Sequence, residues 1–207
     1  MQLAAGSVER ALATWRAWAA ESPGDTLSIV QIAGHVFVRA PKDLARRFEP
    51  ATMRGARLSY ADASSLRVPQ PEATVVVGLD DDRLARLEAA TPHDEWWEAV
   101  TWPKDGRVHA VVAPDGELDA IAMVEDWYGI AGHIGVVTRP DRRGRGQGRV
   151  AAGAAALDAL ARGLLPQWRA RIGNHASQRV ADRLGFVTIG IQLFVRLPGV
   201  ASTTMET

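Results

Sequence analysis

The spacing of apolar and polar residues predicts the elements of the first third of the chain. Apolar residues recur every three or four positions over Val8–Ala19, which predicts a helix capped by Ser7. Runs of β-branched residues predict a hairpin of two strands, Thr26–Ile32 and His35–Arg39. A short helix is expected at Asp43–Phe48. This third is therefore predicted to be a helix-and-hairpin unit.

A connector with serines and two prolines follows, and it predicts a boundary near residue 72. Beyond it, strand and helix patterns alternate. The predicted strands are Ala73–Gly78, Arg107–Ala113, Glu117–Val124, Ile130–Thr138, Trp168–Ile172 and one or two within Phe186–Leu197. The predicted helices are Asp80–Ala90, His93–Val100, Gly146–Arg162 and Ser177–Leu184. This order predicts an α+β or mixed α/β domain over residues 73–207, with residues 1–72 as an extension.

Composition then narrows the classes of function. The chain has no cysteine, which excludes disulfides, thiolate metal ligands and a cysteine nucleophile. Its 24 basic and 24 acidic residues cancel, so bulk charge gives no reason to expect nucleic acid or a membrane surface as partner. The five histidines lack metal-ligand spacing, and no apolar run approaches membrane length. We therefore expect a cytoplasmic protein without a metal.

The segment Arg142-Arg143-Gly144-Arg145-Gly146-Gln147-Gly148 is the strongest candidate for chemistry. It joins a predicted strand to a predicted helix, so its backbone N–H groups and the positive end of the helix dipole favour an anion. Glycines allow a ligand close to the backbone, and the arginines, with Arg149, supply cations for a phosphate. No lysine follows as in a P-loop, and Arg149 stands where a dinucleotide fingerprint needs glycine. The pattern predicts a pyrophosphate site.

Two motifs in this order resemble the GNAT superfamily of N-acetyltransferases. The family signature Gln/Arg-x-x-Gly-x-Gly/Ala is matched by Arg143, Gly146 and Gly148. Downstream, Asn174, Ser177 and the segment 184–186 (Leu-Gly-Phe) match a second family element. The resemblance covers about residues 73–197. It implies a GNAT-like, mostly antiparallel central sheet with a splayed central strand, flanked by helices.

The resemblance also implies acetyl-CoA as cosubstrate and assigns residues to it. In the family, the central strand pairs with the pantetheine arm through its backbone, the glycine-rich loop holds the pyrophosphate, and a residue opposite contacts the pantetheine. By position these residues are Val136, Val137 and Thr138 on the strand, Arg142, Arg143, Gly144, Arg145, Gly146, Gln147, Gly148 and Arg149 in the loop, and Asn174 with Ser177 opposite. A backbone N–H near Val136 is expected to polarise the thioester carbonyl.

The proton chemistry stays open in the sequence. Direct attack of a neutral amine on the thioester, in a ternary complex, requires a general base, and His133, Glu125 and Asp126 are candidates near the central strand. Many relatives carry a tyrosine as general acid where this chain has Ala181. Ser177 is the candidate substitute, although its position equally fits a helix N-cap.

The acceptor side is less defined. Residues 90–103 form the acceptor wall in relatives, and here they combine Trp96, Trp97 and Trp102 with acidic residues that could receive a cationic amine. Trp127 and Tyr128 could line the same mouth. The expected acceptor is a primary amine of a small molecule or protein, and the alternative function is a non-catalytic acyl-CoA-binding or sensing module. Residues 1–72 are expected to be a cap over the cleft, a dimerisation element or a degenerate acyltransferase-like half.

Overall fold

The computed structural model describes residues 3–21, 26–40, 53–69, 73–100, 103 and 105–196. Within them the chain forms nine strands and five α-helices. The strands are β1 (Thr26–Ile32), β2 (His35–Arg39), β3 (Met53–Tyr60), β4 (Val75–Val77), β5 (Val108–Val112), β6 (Leu118–Trp127), β7 (Ala131–Thr138), β8 (Leu165–Arg171) and β9 (Val187–Arg196). The helices are α1 (Ala5–Ala20), α2 (Asp82–Ala90), α3 (His93–Ala99), α4 (Gln147–Ala161) and α5 (His175–Leu184).

All nine strands belong to one sheet in the order β2-β1-β9-β3-β8-β7-β6-β5-β4. Every neighbouring pair is antiparallel except β7 and β8, which run parallel. The predicted α+β class with a mostly antiparallel sheet is confirmed. The predicted helix at Asp43–Phe48 lies outside the described residues.

Strands of the N-terminal segment form part of this sheet. Strand β3, which the sequence prediction missed, lies between β8 and β9 and pairs with both. The hairpin β1–β2 was predicted correctly, and β1 continues the sheet beyond β9. The division at residue 72 stays a prediction about domains, but strands from both sides of it share one ladder.

The parallel pair β7–β8 opens into a splay. Their pairing covers only Ala131, Gly132 and His133 on β7, whereas β6 pairs with β7 along the whole of Ala131–Thr138. Strand β8 keeps its other neighbour, since β3 pairs with it up to Arg171. The two strands therefore diverge after His133, as the resemblance implied for the central strand.

Helices cover both faces of the sheet. Helix α4 packs on β6 and β7 through fully buried alanines, whose small side chains let the helix lie close to the sheet. Helix α5 joins α4 on this face. On the opposite face, α1 packs through Leu12 and Trp15, and α2 and α3 pack through Leu87 and Trp96. No described helix combines the length and the apolar character that crossing a membrane requires.

A buried carboxylate fastens α1 to the sheet. The Ser7 cap predicted from sequence is wrong, because the helix begins at Ala5 and the Ser7 hydroxyl donates to Asp62 at 2.9 Å. The backbone N–H of Ala4 donates to the same oxygen at 3.0 Å, and Ser64 and Ser65 donate to the other oxygen of Asp62. These hydrogen bonds outweigh burial, which alone would raise the pKa of Asp62, and hold that pKa well below its usual range.

Replacing Asp62 should therefore destabilise the fold. We expect Asp62→Ala to lower the free energy of unfolding by about 3 kcal/mol, because it leaves several donors without an acceptor. Because the folded-state pKa is depressed, this stabilisation is complete above about pH 4 and is lost as the pH falls below it. Urea unfolding between pH 7 and pH 3 measures both effects.

The matched control is Asp80→Ala, since Asp80 is exposed and makes no hydrogen bond or ion pair with the described residues. It should change stability by less than about 0.5 kcal/mol. Equal stability of the two variants at pH 7 would contradict the assignment of Asp62.

Candidate functional site

The arginine-glycine loop lies between β7 and α4 and is bent twice by glycine. A single turn of 3₁₀-helix spans Pro140–Arg142, and then Gly144 and Gly146 adopt φ of +81° and +88°. Gly146 is the N-cap of α4, so the loop ends directly on a helix N-terminus. These φ values favour glycine, which explains why the segment needs glycine at both positions.

The loop presents a row of unused backbone donors. Among the described residues, the N–H groups of positions 144 to 148 donate to no acceptor. The flanking N–H groups are used, since Arg143 donates to the Pro140 carbonyl and Arg149 to the Gly146 carbonyl. The predicted cradle of Arg143 to Arg149 is thus narrowed to positions 144–148. Consecutive free N–H groups at a helix N-terminus form an anion site.

Gly148 lets the first turn of α4 lie against the end of β7. A Cβ on Gly148 would lie 2.4 Å from Thr138 Oγ1, which is too close for any side chain. The helix start, and with it the row of free N–H groups, is therefore held beside the last residue of the splayed strand.

The predicted phosphate-binding arginines differ in what they contact. Arg142 contacts carboxylates, with Asp115 at 2.6 Å and Asp119 at 3.3 Å, and its role toward phosphate stays a prediction. Arg145 is exposed and has no partner among the described residues. The buried Nε of Arg149 also has no hydrogen-bond partner in that part of the chain. Arg145 and Arg149 thus retain donors for an anion.

Asp119 organises the loop, and sequence reasoning missed it. The residue is 4% exposed, and its side chain accepts from Arg142 at 3.3 Å and from Gln147 Nε2 at 3.4 Å. Its carbonyl accepts from the N–H of Arg139 at 2.9 Å. A buried acid in a strand that is otherwise apolar was the available signal, because such a group is rarely buried without cations or donors around it.

Beyond the splay, one edge of β7 is free. The N–H of Leu165 donates to the Ile130 carbonyl, while the N–H of Arg139 donates to β6, so even-numbered residues of β7 face the β8 side. The N–H and C=O of Val136 therefore point into the splay without a strand partner, in the region where the oxyanion-type contact is predicted. Val137 is a correction, because its backbone faces β6 and its side chain is buried.

The Thr138 carbonyl, also on the free edge, accepts from Arg143 Nε at 3.2 Å. The same guanidinium donates to Glu95 on α3 at 2.5 Å. Arg143 thus occupies the acceptor that an added strand would use, and links the loop to α3.

Asn174 and Ser177 lie on the α4–α5 side of the splay. The side chain of Asn174 caps α5 and accepts from the Ser177 N–H at 3.0 Å, so Asn174, not Ser177, is the N-cap. Ser177 Oγ accepts from Trp168 Nε1 at 2.9 Å. Ala181 is 2% exposed and packs in the core with Phe186, so a tyrosine at that position would displace core side chains before it reached the splay.

A cleft of about 690 Å³ opens on the other face of the sheet, beside the start of the splay. It is lined by residues of the N-terminal segment and of three long strands, namely Trp18, Glu21, Ser28, Arg39, Glu125, Asp126, Trp127, Tyr128, Arg169, Gln192 and Phe194. Trp127 and Tyr128 line it as the sequence predicted. The N-terminal helix and hairpin supply part of its wall, and their role as a cap stays a prediction.

His133 lies at the apex of the splay but is a poor candidate for a base. Its side chain is 7% exposed, its ring centre lies 5.0 Å from that of Trp127, and its Nδ1 has no hydrogen-bond partner among the described residues. Burial, followed by the positive charge of Arg169, lowers the pKa of His133 to about 3. The ring is therefore neutral at physiological pH and has little affinity for a proton.

Glu125 is the better-placed carboxylate. It is the register partner of His133, lies on the same face of the sheet and lines the cleft. Its carboxylate makes no hydrogen bond or ion pair with the described residues. Asp126, the other candidate, accepts from the N–H of Gly129 at 2.7 Å and so stabilises the β6–β7 turn.

The residues expected to form the acceptor wall have other contacts. Trp96 is buried against the sheet, and Trp97 is exposed and donates to His93 at 2.8 Å. On the same helix, Glu98 pairs with Arg171 at 3.1 Å, as Glu95 pairs with the loop. Trp102 lies outside the described residues.

Comparison with known proteins bears on the same segment. The sequence profile of a family described as "GNAT acetyltransferase" matches residues 110–191, which include β7, the loop, α4, β8 and α5. No curated protein matches the chain at a significant level.

Solved structures share the fold. An acetyltransferase described as from the GNAT family of Novosphingobium aromaticivorans is 21% identical, with a TM-score of 0.56 over 93% of this chain and 81% of that chain. One from Colwellia psychrerythraea is 11% identical, with a TM-score of 0.57 over 95% and 75% of the two chains. A Drosophila protein is 18% identical at a TM-score of 0.52 over 74% of this chain, which spans only 54% of that protein.

Identities this low establish a common fold rather than a common substrate. The profile match covers the loop and the splayed strands, which are the features that the sequence motifs singled out. Taken with the shared fold, the match of residues 110–191 supports a GNAT-superfamily acetyltransferase.

Proposed function

We propose that this protein transfers the acetyl group of acetyl-CoA to an amine by direct attack in a ternary complex. The observation that carries the proposal is the row of unused N–H groups at positions 144–148, held beside the free edge of β7. The first suits a pyrophosphate and the second suits an amide-containing arm that pairs like an added strand.

The residues present fit such a cosubstrate. The free loop donors match an anion, the buried unpartnered Nε of Arg149 lies on the same helix turn, and exposed Arg145 adds a second cation. Gly148 keeps this region free of a side chain against Thr138. Arg143 must leave the Thr138 carbonyl for an added strand to use that acceptor. Binding is therefore expected to release its contact with Glu95 as well.

The chemistry requires few groups of the protein. Acetyl-CoA, when bound, supplies an acyl carbon already activated as a thioester. The amine nitrogen forms a bond to that carbon, the carbon–sulfur bond breaks, the amine loses one proton and the thiolate gains one. The Val136 N–H, which points into the splay, is the donor that can stabilise the negative charge on the carbonyl oxygen.

We assign the general base to Glu125. An amine must lose its proton before it attacks, and Glu125 is a cleft carboxylate with no hydrogen-bond or ion-pair partner in the described part of the chain. Its register partner lies three residues before Val136 on β7, a separation of about 10 Å between backbones. With the spacing between β6 and β7 added, Glu125 would reach an amine at this point through a short chain of water molecules.

Ser177 is the candidate general acid. Because its Oγ accepts from Trp168, its own hydroxyl proton is directed elsewhere and is available to a leaving thiolate on the α5 side of the splay. The Trp168 indole, 2% exposed, holds this hydroxyl in place. No other described residue takes the place of the tyrosine that many relatives have where this chain has Ala181.

Ala181, in place of the tyrosine of many relatives, favours a second function, that of an acyl-CoA-binding or sensing module without turnover. The two functions share the loop and differ in the cleft. Binding of coenzyme A without thiol release from any amine would favour the sensor.

Substitution of Gly146 tests the cofactor assignment. Gly146→Glu places a carboxylate among the free N–H groups, so we expect affinity for coenzyme A to fall by at least about 100-fold in calorimetric titration. The matched control is Gly34→Glu, because Gly34 has a similar φ of +81° and equally open surroundings in the β1–β2 turn. Comparable affinity of the two variants would overturn the assignment.

Substitution of Glu125 tests the proposed base. Glu125→Gln should lower kcat about 10²- to 10⁴-fold and leave coenzyme A affinity unchanged, since the loop is untouched. Glu9→Gln, on the exposed side of α1, serves as the control and should be neutral. Activity of Glu125→Gln within about threefold of wild type would exclude Glu125 as the base. An ionisation near pH 6.5 that appears in the pH–rate profile of wild type and is lost in His133→Gln would assign the base to His133 instead.

A further inference from the structure

Arg169 is the most unusual side chain of the cleft. It lies on β8 two residues beyond Gln167, the last residue that pairs with β7, and on the same face as His133. If the pairing of β7 with β8 continued past His133 and Gln167, Arg169 would be the partner of Gly135. Arg169 therefore lies across the splay from Val136. Its guanidinium carbon lies 5.8 Å from the ring centre of Trp127 and 5.9 Å from that of Phe194, so two aromatic side chains fix its position.

Arg169 lacks an anionic partner. It makes no hydrogen bond or ion pair with the described residues, whereas its neighbour on the same strand face, Arg171, pairs with Glu98 at 3.1 Å. The side chain is open to the cleft, yet enough protein surrounds it that burial lowers its pKa. Its guanidinium is thus exposed to the cleft, lies near two aromatic rings, and can donate a bidentate pair of hydrogen bonds to an anionic ligand.

The other charges of the cleft are already satisfied, with one exception. Glu21 accepts from Arg39 at 2.9 Å and from the Tyr128 hydroxyl at 2.7 Å, and Asp126 accepts from a backbone N–H. Glu125 alone among these acids has no partner in the described part of the chain. The Glu125 carboxylate attracts Arg169 but lies beyond ion-pair distance from it.

One unpaired cation and one unpaired anion thus share a cleft without meeting each other. A ligand with a single charge would satisfy one of them and leave the other unpaired. A zwitterion satisfies both, with its ammonium group toward Glu125 and its carboxylate on the planar fork of Arg169. The cleft volume of about 690 Å³ lies in the range of small-molecule sites.

We propose that the acceptor is a small amino acid-like molecule, whose carboxylate binds Arg169 and whose amine is acetylated. The inference rests on the proposed function and deepens it. Arg169 is then a specificity-determining residue, because it contacts the substrate at a group that does not react. Trp127 and Phe194 orient the guanidinium and give the carbon skeleton of the acceptor an apolar surface.

The test compares acceptors that differ only in the carboxylate. Thiol release is measured with the common L-amino acids, β-alanine and γ-aminobutyrate, each beside the corresponding amide. For wild type we expect kcat/KM to be about 10- to 100-fold higher for the best amino acid than for its amide, as for loss of a charge-assisted hydrogen bond. In Arg169→Gln the amino acid should fall to the level of its amide, and the amide should change less than about twofold.

Two further variants separate recognition from folding. Arg169→Lys keeps the charge but not the bidentate fork, and should retain part of the preference. Arg179→Gln is the matched control, because Arg179 is exposed on α5 and has no partner among the described residues. Calorimetric titration of the preferred amino acid into protein saturated with coenzyme A should show at least about tenfold weaker binding in Arg169→Gln.

The outcomes separate the proposed acetyl transfer from the proposed zwitterionic acceptor. No thiol release from any amine would overturn the proposed function together with this inference. Equal kcat/KM for amino acids and their amides in wild type would overturn the zwitterionic acceptor alone. An equal loss of kcat/KM on both acceptors in Arg169→Gln would also overturn it, and would assign Arg169 to the cofactor instead.

Discussion

The divergence of β7 from β8 after His133 is the constraint on which the rest of the site depends. Backbone N–H and C=O groups inside a protein need partners, and β7 has lost one row of them from Val136 onward. The glycines at 144, 146 and 148 then place a second set of unpaired donors at the end of that row. The free edge of β7 and the N-terminus of α4 therefore lie next to each other, and both present unpaired backbone groups.

The two faces of the sheet carry different parts of the site beside the splay. Helices α4 and α5 lie on one face, where the loop and Ser177 meet the splay. Helix α1 and the strands β1, β6, β8 and β9 surround the cleft on the other. The segment before residue 72 therefore does more than append a helix, since β3 completes the sheet beside β8 and α1 carries one wall of the cleft. Asp62 holds these parts together through its contacts with Ala4 and Ser7.

The sequence predicted features whose causes are local. The hairpin β1–β2, the glycine bends of the loop and the start of α4 depend on neighbouring residues, and each was located correctly. Strand β3 was missed although Ala56, Leu58 and Tyr60 alternate with polar residues, because its sequence, MRGARLSY, contains no β-branched residue and its extended form depends on its position between two strands. Ser7 failed as a cap because its partner lies 55 residues away. The cleft could not be predicted, since its walls come from distant segments.

The same reasoning explains the outcome for the candidate catalytic residues. His133 had a suitable chemistry and position along the chain, but packing against Trp127 and burial lower its pKa and so weaken it as a candidate base. Val137 was one residue out of phase, which in a strand places the backbone groups on the opposite edge. Arg169 carries no motif, and it stands out only because it has no ion-pair partner among the residues that the structure describes.

Hydrogen exchange of the backbone amides, with and without coenzyme A, tests the central claim most directly. The account predicts that coenzyme A slows exchange at Val136 and at positions 144–148, and leaves the amide of Val137, already in the ladder with β6, unchanged. Saturating coenzyme A that slows exchange at none of these positions would contradict the assignment of the loop and of the splayed strand.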